Sequence, residues 1–170
     1  MCVAGLSSAT PNNDTMVIGT GFHCKFLPIK ASKTGTNGSI DNGYEGITYA
    51  ITHGCKVVNL SWGHVGYSQS EQDFINDVVV NYDVMIVAAA GNINGSTDYY
   101  YPASFDNVMS VTYSASDDVK YGGNYNDKID IDAPGVNVKT IDQNGLRTVS
   151  YTHLRAHETG RNLVCRLLLE

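Results

Sequence analysis

Between Lys25 and Ala90 the chain alternates two kinds of apolar pattern, and that alternation restricts its fold more than any other feature. "KFLPIKA" (Lys25 to Ala31), "KVVNLS" (Lys56 to Ser61) and "VMIVAAA" (Val84 to Ala90) are short, nearly continuous apolar runs, the pattern of strands buried in a parallel sheet. The segments between them change period. "IDNGYEGITYAITH" (Ile40 to His53) sets Ile40, Tyr44, Ile47 and Ile51 at helical spacing and stops at Gly54, a residue suited to the left-handed turn that ends a helix. "SEQDFINDVVVNY" opens on Ser70 as an N-cap with acids in its first turn, and stacks Phe74 on Val78 and Ile75 on Val79, as an amphipathic helix does. Strand, helix, strand, helix, strand predicts an α/β fold, a parallel sheet with helices on both faces. Ligands of such sheets bind at the carboxyl ends of the strands. After Tyr101 the pattern shortens to "NVMSVTY", "KIDID" and "NVKTI", separated by Gly, Asp and Asn turns.

With 170 residues and 42% apolar content, the chain has room for one domain with a sizeable core. A net charge of −6 and the lack of a Lys/Arg cluster argue against a nucleic-acid partner. No apolar run reaches the roughly 18 residues of a membrane span, and no signal-peptide pattern opens the chain. The four cysteines show no metal-ligand spacing. They read as small buried hydrophobes, with a Cys24–Cys55 bridge as the alternative in a secreted protein.

The strand ends carry the chemistry. In "VMIVAAAGN", Ala89, Ala90 and Gly91 present nothing larger than a methyl, so another backbone can approach closely. Asn92 follows, with an amide able to donate to a developing oxyanion; a plain turn residue is the competing reading. In "VVNLSWG", Ser61, Trp62 and Gly63 end the neighbouring strand, where an extended peptide could add by main-chain pairing; the competing reading is a loop with Trp62 in the core. Tyr101-Pro102 is an X-Pro step, where cis is uncommon but available, and Ala133-Pro134-Gly135 reads as a turn.

Taken together, "VAG" near the start, "VVNLSWG", "VAAAGN", "YPAS…NVMSV" and "IDIDAPG" resemble, in order and separation, the subtilisin family of serine endopeptidases, over almost all of residues 1–148. The resemblance implies peptide-bond hydrolysis by acyl transfer through a Ser-His-Asp triad. It makes Asn92 the oxyanion-hole donor, and Ser61, Trp62, Gly63, Ala89, Ala90 and Gly91 the walls that pair with an extended peptide or protein substrate. It also implies a commonly cis Tyr101-Pro102 bond and an extracellular bacterial setting. The chemistry needs no cofactor; many members carry structural calcium, for which no ligand set can be assigned here.

The triad itself departs from the pattern. The family's Asp motif precedes "VAG", its His would stand just before Met1, and its Gly-Thr-Ser-Met-Ala motif is not found after "IDIDAPG". The expectation is therefore a partial subtilisin-like fold, truncated at both ends and inactive as written. Ser150 lacks the flanking residues of the nucleophile, and His23, His53 and His64 match no triad position. The alternatives are a subtilisin-fold pseudoprotease or a peptide-binding module. A nucleotide-binding domain is disfavoured, because "GTGFHC" and "GNINGS" supply neither phosphate-binding glycine motif.

Composition breaks once. Residues 1–148 hold one arginine and four leucines, whereas the last 22 residues hold three and five. "VSYTHLRAHETGRNLVCRLLLE", with His153 and His157, resembles one reading frame of adapter DNA used in sequencing libraries. The expected division is a partial peptidase domain over residues 1–148 and a non-native tail over 149–170. The other reading of the tail is an amphipathic terminal helix, since Leu163 and Leu167 fall at helical spacing.

Overall fold

The computed structural model describes residues 2–14, 17–21, 24–33, 39–115, 122–142, 144–149 and 163–164. Its elements run α1 (Cys2–Ser8), β1 (Ile29–Lys30), α2 (Gly43–Thr52), β2 (Val57–Leu60), α3 (Gln69–Tyr82), β3 (Met85–Ala89), β4 (Val108–Ser114), β5 (Ile131–Pro134), β6 (Val138–Asp142), β7 (Gly145–Val149) and β8 (Leu163–Val164). Strands β2, β3, β4 and β5 form a parallel sheet in that order. β6 and β7 make an antiparallel hairpin, and β1 pairs antiparallel with β8.

The expected parallel sheet is present, with helices on both faces. One face carries Val58, Leu60, Ile86, Ala88 and Val108. It packs against Ile47 and Ala50 of α2, Ile75 and Val78 of α3, and Phe105, all of them buried. Burying about ten such side chains supplies the hydrophobic drive that fixes both helices on this face. On the other face α1 lies over the carboxyl ends, where Val3 and Leu6 line a cavity of about 210 Å³ with Val87, Val111 and Ala133. Further along that face Met85, Met109 and Ile131 are exposed.

Several boundaries move for local reasons. α2 begins at Gly43, not Ile40, because the chain there passes edge-on to an indole: a Cβ on Gly43 would stand 2.6 Å from Trp62 Cζ2. Gly54 does turn the chain out of the helix, with φ of +80°. The N-cap of α3 is Ser68, whose backbone is extended, and Ser70 lies inside the helix; the two hydroxyls bond to each other at 3.0 Å. In "KIDID" the strand starts only at Ile131, since the Asp130 carboxylate instead accepts the Ser110 N–H at 2.7 Å.

Tyr101-Pro102 is cis. Cys24 and Cys55 are not bridged to each other: Cys55 belongs to the core, and the Cys24 thiol donates to the Gly21 carbonyl at 3.1 Å. Val149 pairs with Val138 and is buried. Met1, His23, Ser150, His153, His157 and Cys165 lie outside the described residues. Among those described, no helix is long and apolar enough to cross a membrane.

Candidate functional site

Parallel pairing brings the two motif-bearing strand ends together. Leu60 stands opposite Ala88, so the next step along each strand sets Ser61 beside Ala89 and Trp62 beside Ala90. The Ser61 hydroxyl accepts from Asn59 Nδ2 at 2.9 Å. Trp62 leaves the sheet to meet Tyr44 edge-on, ring centroids 5.7 Å apart. Gly63 is exposed, and a Cβ there would come within 3.1 Å of the Tyr101 carbonyl. His64 then exchanges two backbone hydrogen bonds with Tyr101, at 2.8 and 2.9 Å. The edge is thus anchored at both ends, by β2 and by Tyr101. Of the sequence-assigned residues, Ser61 alone also lines the 210 Å³ cavity.

On the β3 side Ala90 is buried and its N–H donates to the Val111 carbonyl at 2.9 Å. Gly91 adopts φ of +114°, and a Cβ on it would lie 2.7 Å from Asn124 Oδ1. Glycine is therefore required here twice over, by backbone conformation and by space. Gly91→Ala is expected to cost about 1–3 kcal/mol, seen as a lower urea midpoint; an unchanged midpoint would contradict the close approach to Asn124.

Asn92 sits in the turn that follows. Its Oδ1 is buried and accepts no hydrogen bond. The turn is held from outside by Asn124, which is fully buried. Asn124 donates its backbone N–H to the Gly91 carbonyl at 3.3 Å, accepts the Ile93 N–H on Oδ1 at 2.9 Å, and donates Nδ2 to the Asp98 carbonyl at 3.2 Å. Its own carbonyl accepts from Thr112 Oγ1 at 2.8 Å. The residues on either side of Asn92 are thus tied to one buried amide, while the Asn92 side chain is left uncommitted. The sequence reading did not find Asn124. Its only local signal is the Gly-Gly-Asn step of "YGGNYN", which looks like any turn.

The arrangement offers two adjoining strand ends of small residues, an accessible backbone edge, and an amide beside them at the carboxyl end of the sheet. Among the described residues no group of three or more His, Cys, Asp or Glu converges as metal ligands, so no described side-chain cluster fits a calcium ion.

Comparison with known proteins agrees with this geometry. The profile of the subtilase family matches residues 1–162. The thermophilic serine proteinase of Bacillus sp. (strain AK1) is 33% identical over 154 residues, covering 89% of this chain and 38% of that protein. Thermitase of Thermoactinomyces vulgaris is 33% identical over 133 residues, covering 78% and 47%. The chain thus spans less than half the length of both relatives. The crystal structure of the psychrophilic subtilisin-like protease Apa1 from Pseudoalteromonas sp. AS-11 superposes with a TM-score of 0.54 at 33% identity, over 58% of this chain and 22% of that one. The self-cleaved protease domain of PatA, at 23% identity and a TM-score of 0.57 over 63% of this chain and 43% of its own, shares the fold. By the reach of the family match and these relatives, the chain belongs to the subtilase family.

Proposed function

We propose that residues 1–148 supply the oxyanion-binding and substrate-binding part of a bacterial, secreted serine endopeptidase. In this reading Asn92 donates to the tetrahedral oxyanion. Ser61, Trp62 and Gly63 on one side, and Ala89, Ala90 and Gly91 on the other, receive an extended peptide. The observation that carries it is the uncommitted Asn92 amide, fixed by its flanks beside two small-residue strand ends. A donor positioned before the reaction need not reorganise as charge develops, which is where such groups gain their effect. The nucleophile and its base act on the same carbonyl: serine attacks, histidine takes its proton, and aspartate holds the imidazole. No serine or histidine here carries the family's triad motifs, so this chain by itself is inactive, with binding and oxyanion groups giving at most residual catalysis.

The test is covalent labelling. The full gene product should react with a serine-directed phosphonylating inhibitor and cleave an unfolded protein substrate, whereas the 170-residue chain should do neither. A folded full-length product that resists the inhibitor would sink the peptidase reading and leave a peptide-binding pseudoprotease.

A further inference from the structure

We propose that Glu71 and His64 form a proton-controlled clamp on the Ser61–Gly63 edge, so that peptide capture there tightens when His64 is protonated. The effect on capture rests on the peptide-binding reading above; the clamp does not.

His64 is the first residue beyond that edge, and its backbone bonds to Tyr101 hold the edge in place. Its side chain reaches the first turn of α3, where Nε2 stands 3.3 Å from Glu71 Oε2. That is ion-pair reach, but the two atoms are not aligned as a hydrogen bond, and both are buried. Tyr44 Oη and Trp62 Nε1 are likewise buried without a well-aligned partner. So α2, the substrate edge and α3 all direct polar groups into one small region. Such atoms are rare in folded proteins because each forfeits its hydration. Here they surround a carboxylate whose only ion-pair partner among the described residues is His64.

The groups facing His64 settle the direction. Glu71 faces it from α3. The Tyr101 ring lies 6.3 Å away from the adjoining loop, and Tyr67 packs on Tyr101. Tyr44 approaches Glu71 from α2; burial, and then the neighbouring carboxylate, push its pKa above the ordinary tyrosine range. Tyr44 therefore stays neutral while histidines titrate, between about pH 5 and 8. At the acid end of that window His64 is a cation against Glu71. At the alkaline end the cation is lost and a partly buried carboxylate keeps only neutral donors, which favours release of His64 and of the edge behind it.

Trp62 is the chain's one tryptophan and contacts Tyr44, so its emission reports on the cluster. In the 170-residue chain, Trp62 emission and exchange of the Tyr101 amide, corrected for intrinsic rates, should change in one step between pH 5 and 8. Because the pair is partly exposed, protection should be about two- to fivefold greater at the acid end. Affinity for acetyl-tetraalanine amide, an uncharged probe, should follow the same step. Glu71→Gln and His64→Gln should each flatten all three curves. A flat response in the unmodified chain, or a step surviving in both variants, overturns the clamp. A step in emission and exchange with no peptide binding at any pH overturns the link to capture together with the reading it rests on.

Discussion

Replacing Asn92 with alanine is expected to slow peptide hydrolysis by the full-length enzyme about 10²–10³-fold, equivalent to roughly 2.7–4 kcal/mol of transition-state stabilisation. The loss should fall on kcat and leave KM nearly unchanged, because the amide meets a charge that exists only once the carbonyl has been attacked. Folding should be little affected, since the Asn92 Oδ1 accepts no hydrogen bond in the folded chain. Steady-state cleavage of a chromogenic peptide decides the matter. A variant that loses affinity and keeps its turnover would show that Asn92 holds the ground-state substrate and not the oxyanion.

Asn124→Ala should act in the opposite manner, on stability first. Its side chain accepts the Ile93 N–H and donates to the Asp98 carbonyl from a position with no solvent exposure. Truncation strands both backbone groups where water must be drawn in to reach them, at about 1–3 kcal/mol each. A destabilisation of about 2–4 kcal/mol is expected in urea unfolding. Turnover should drop as well, because the turn carrying Asn92 loses the contact that fixes its far side. Asn124→Asp separates the two contributions: it keeps an acceptor for Ile93 but removes the donor to Asp98, so it should retain more of the turn's geometry than alanine while still losing stability. An alanine variant as stable as the parent would show that the turn holds itself.

Most of the sheet was legible because its signal is period and length. "KVVNLS" and "VMIVAAA" are apolar where a strand covered by helices must be, and β2 and β3 fall inside them. The ends of α2 and α3 were less legible, since Trp62 decides where α2 can begin and the Ser68 backbone decides the start of α3. α1 and β7 gave no usable pattern: seven residues of "CVAGLSS" hold less than two helical turns, and "GLRTV" becomes a strand only by pairing with β6. At the site, the motif residues lie on strand ends and could be located from sequence order. Asn124 could not, because its role depends on a loop distant in sequence folding back over Gly91.

The in-register pairing of Leu60 with Ala88 also limits how such a chain can vary in length. One residue inserted within β2 or β3 would turn every later side chain of that strand to the opposite face. Core positions such as Leu60 or Ala88 would then point outward, and the two strand ends would fall out of step by a full residue. Length changes are therefore confined to segments beyond the anchors, such as Val65–Ser68 or Ile93–Tyr99, where added residues leave the alignment of the two strand ends unchanged. Divergence within this architecture is channelled into the rim of the cleft, while the spacing between its walls stays fixed by the sheet.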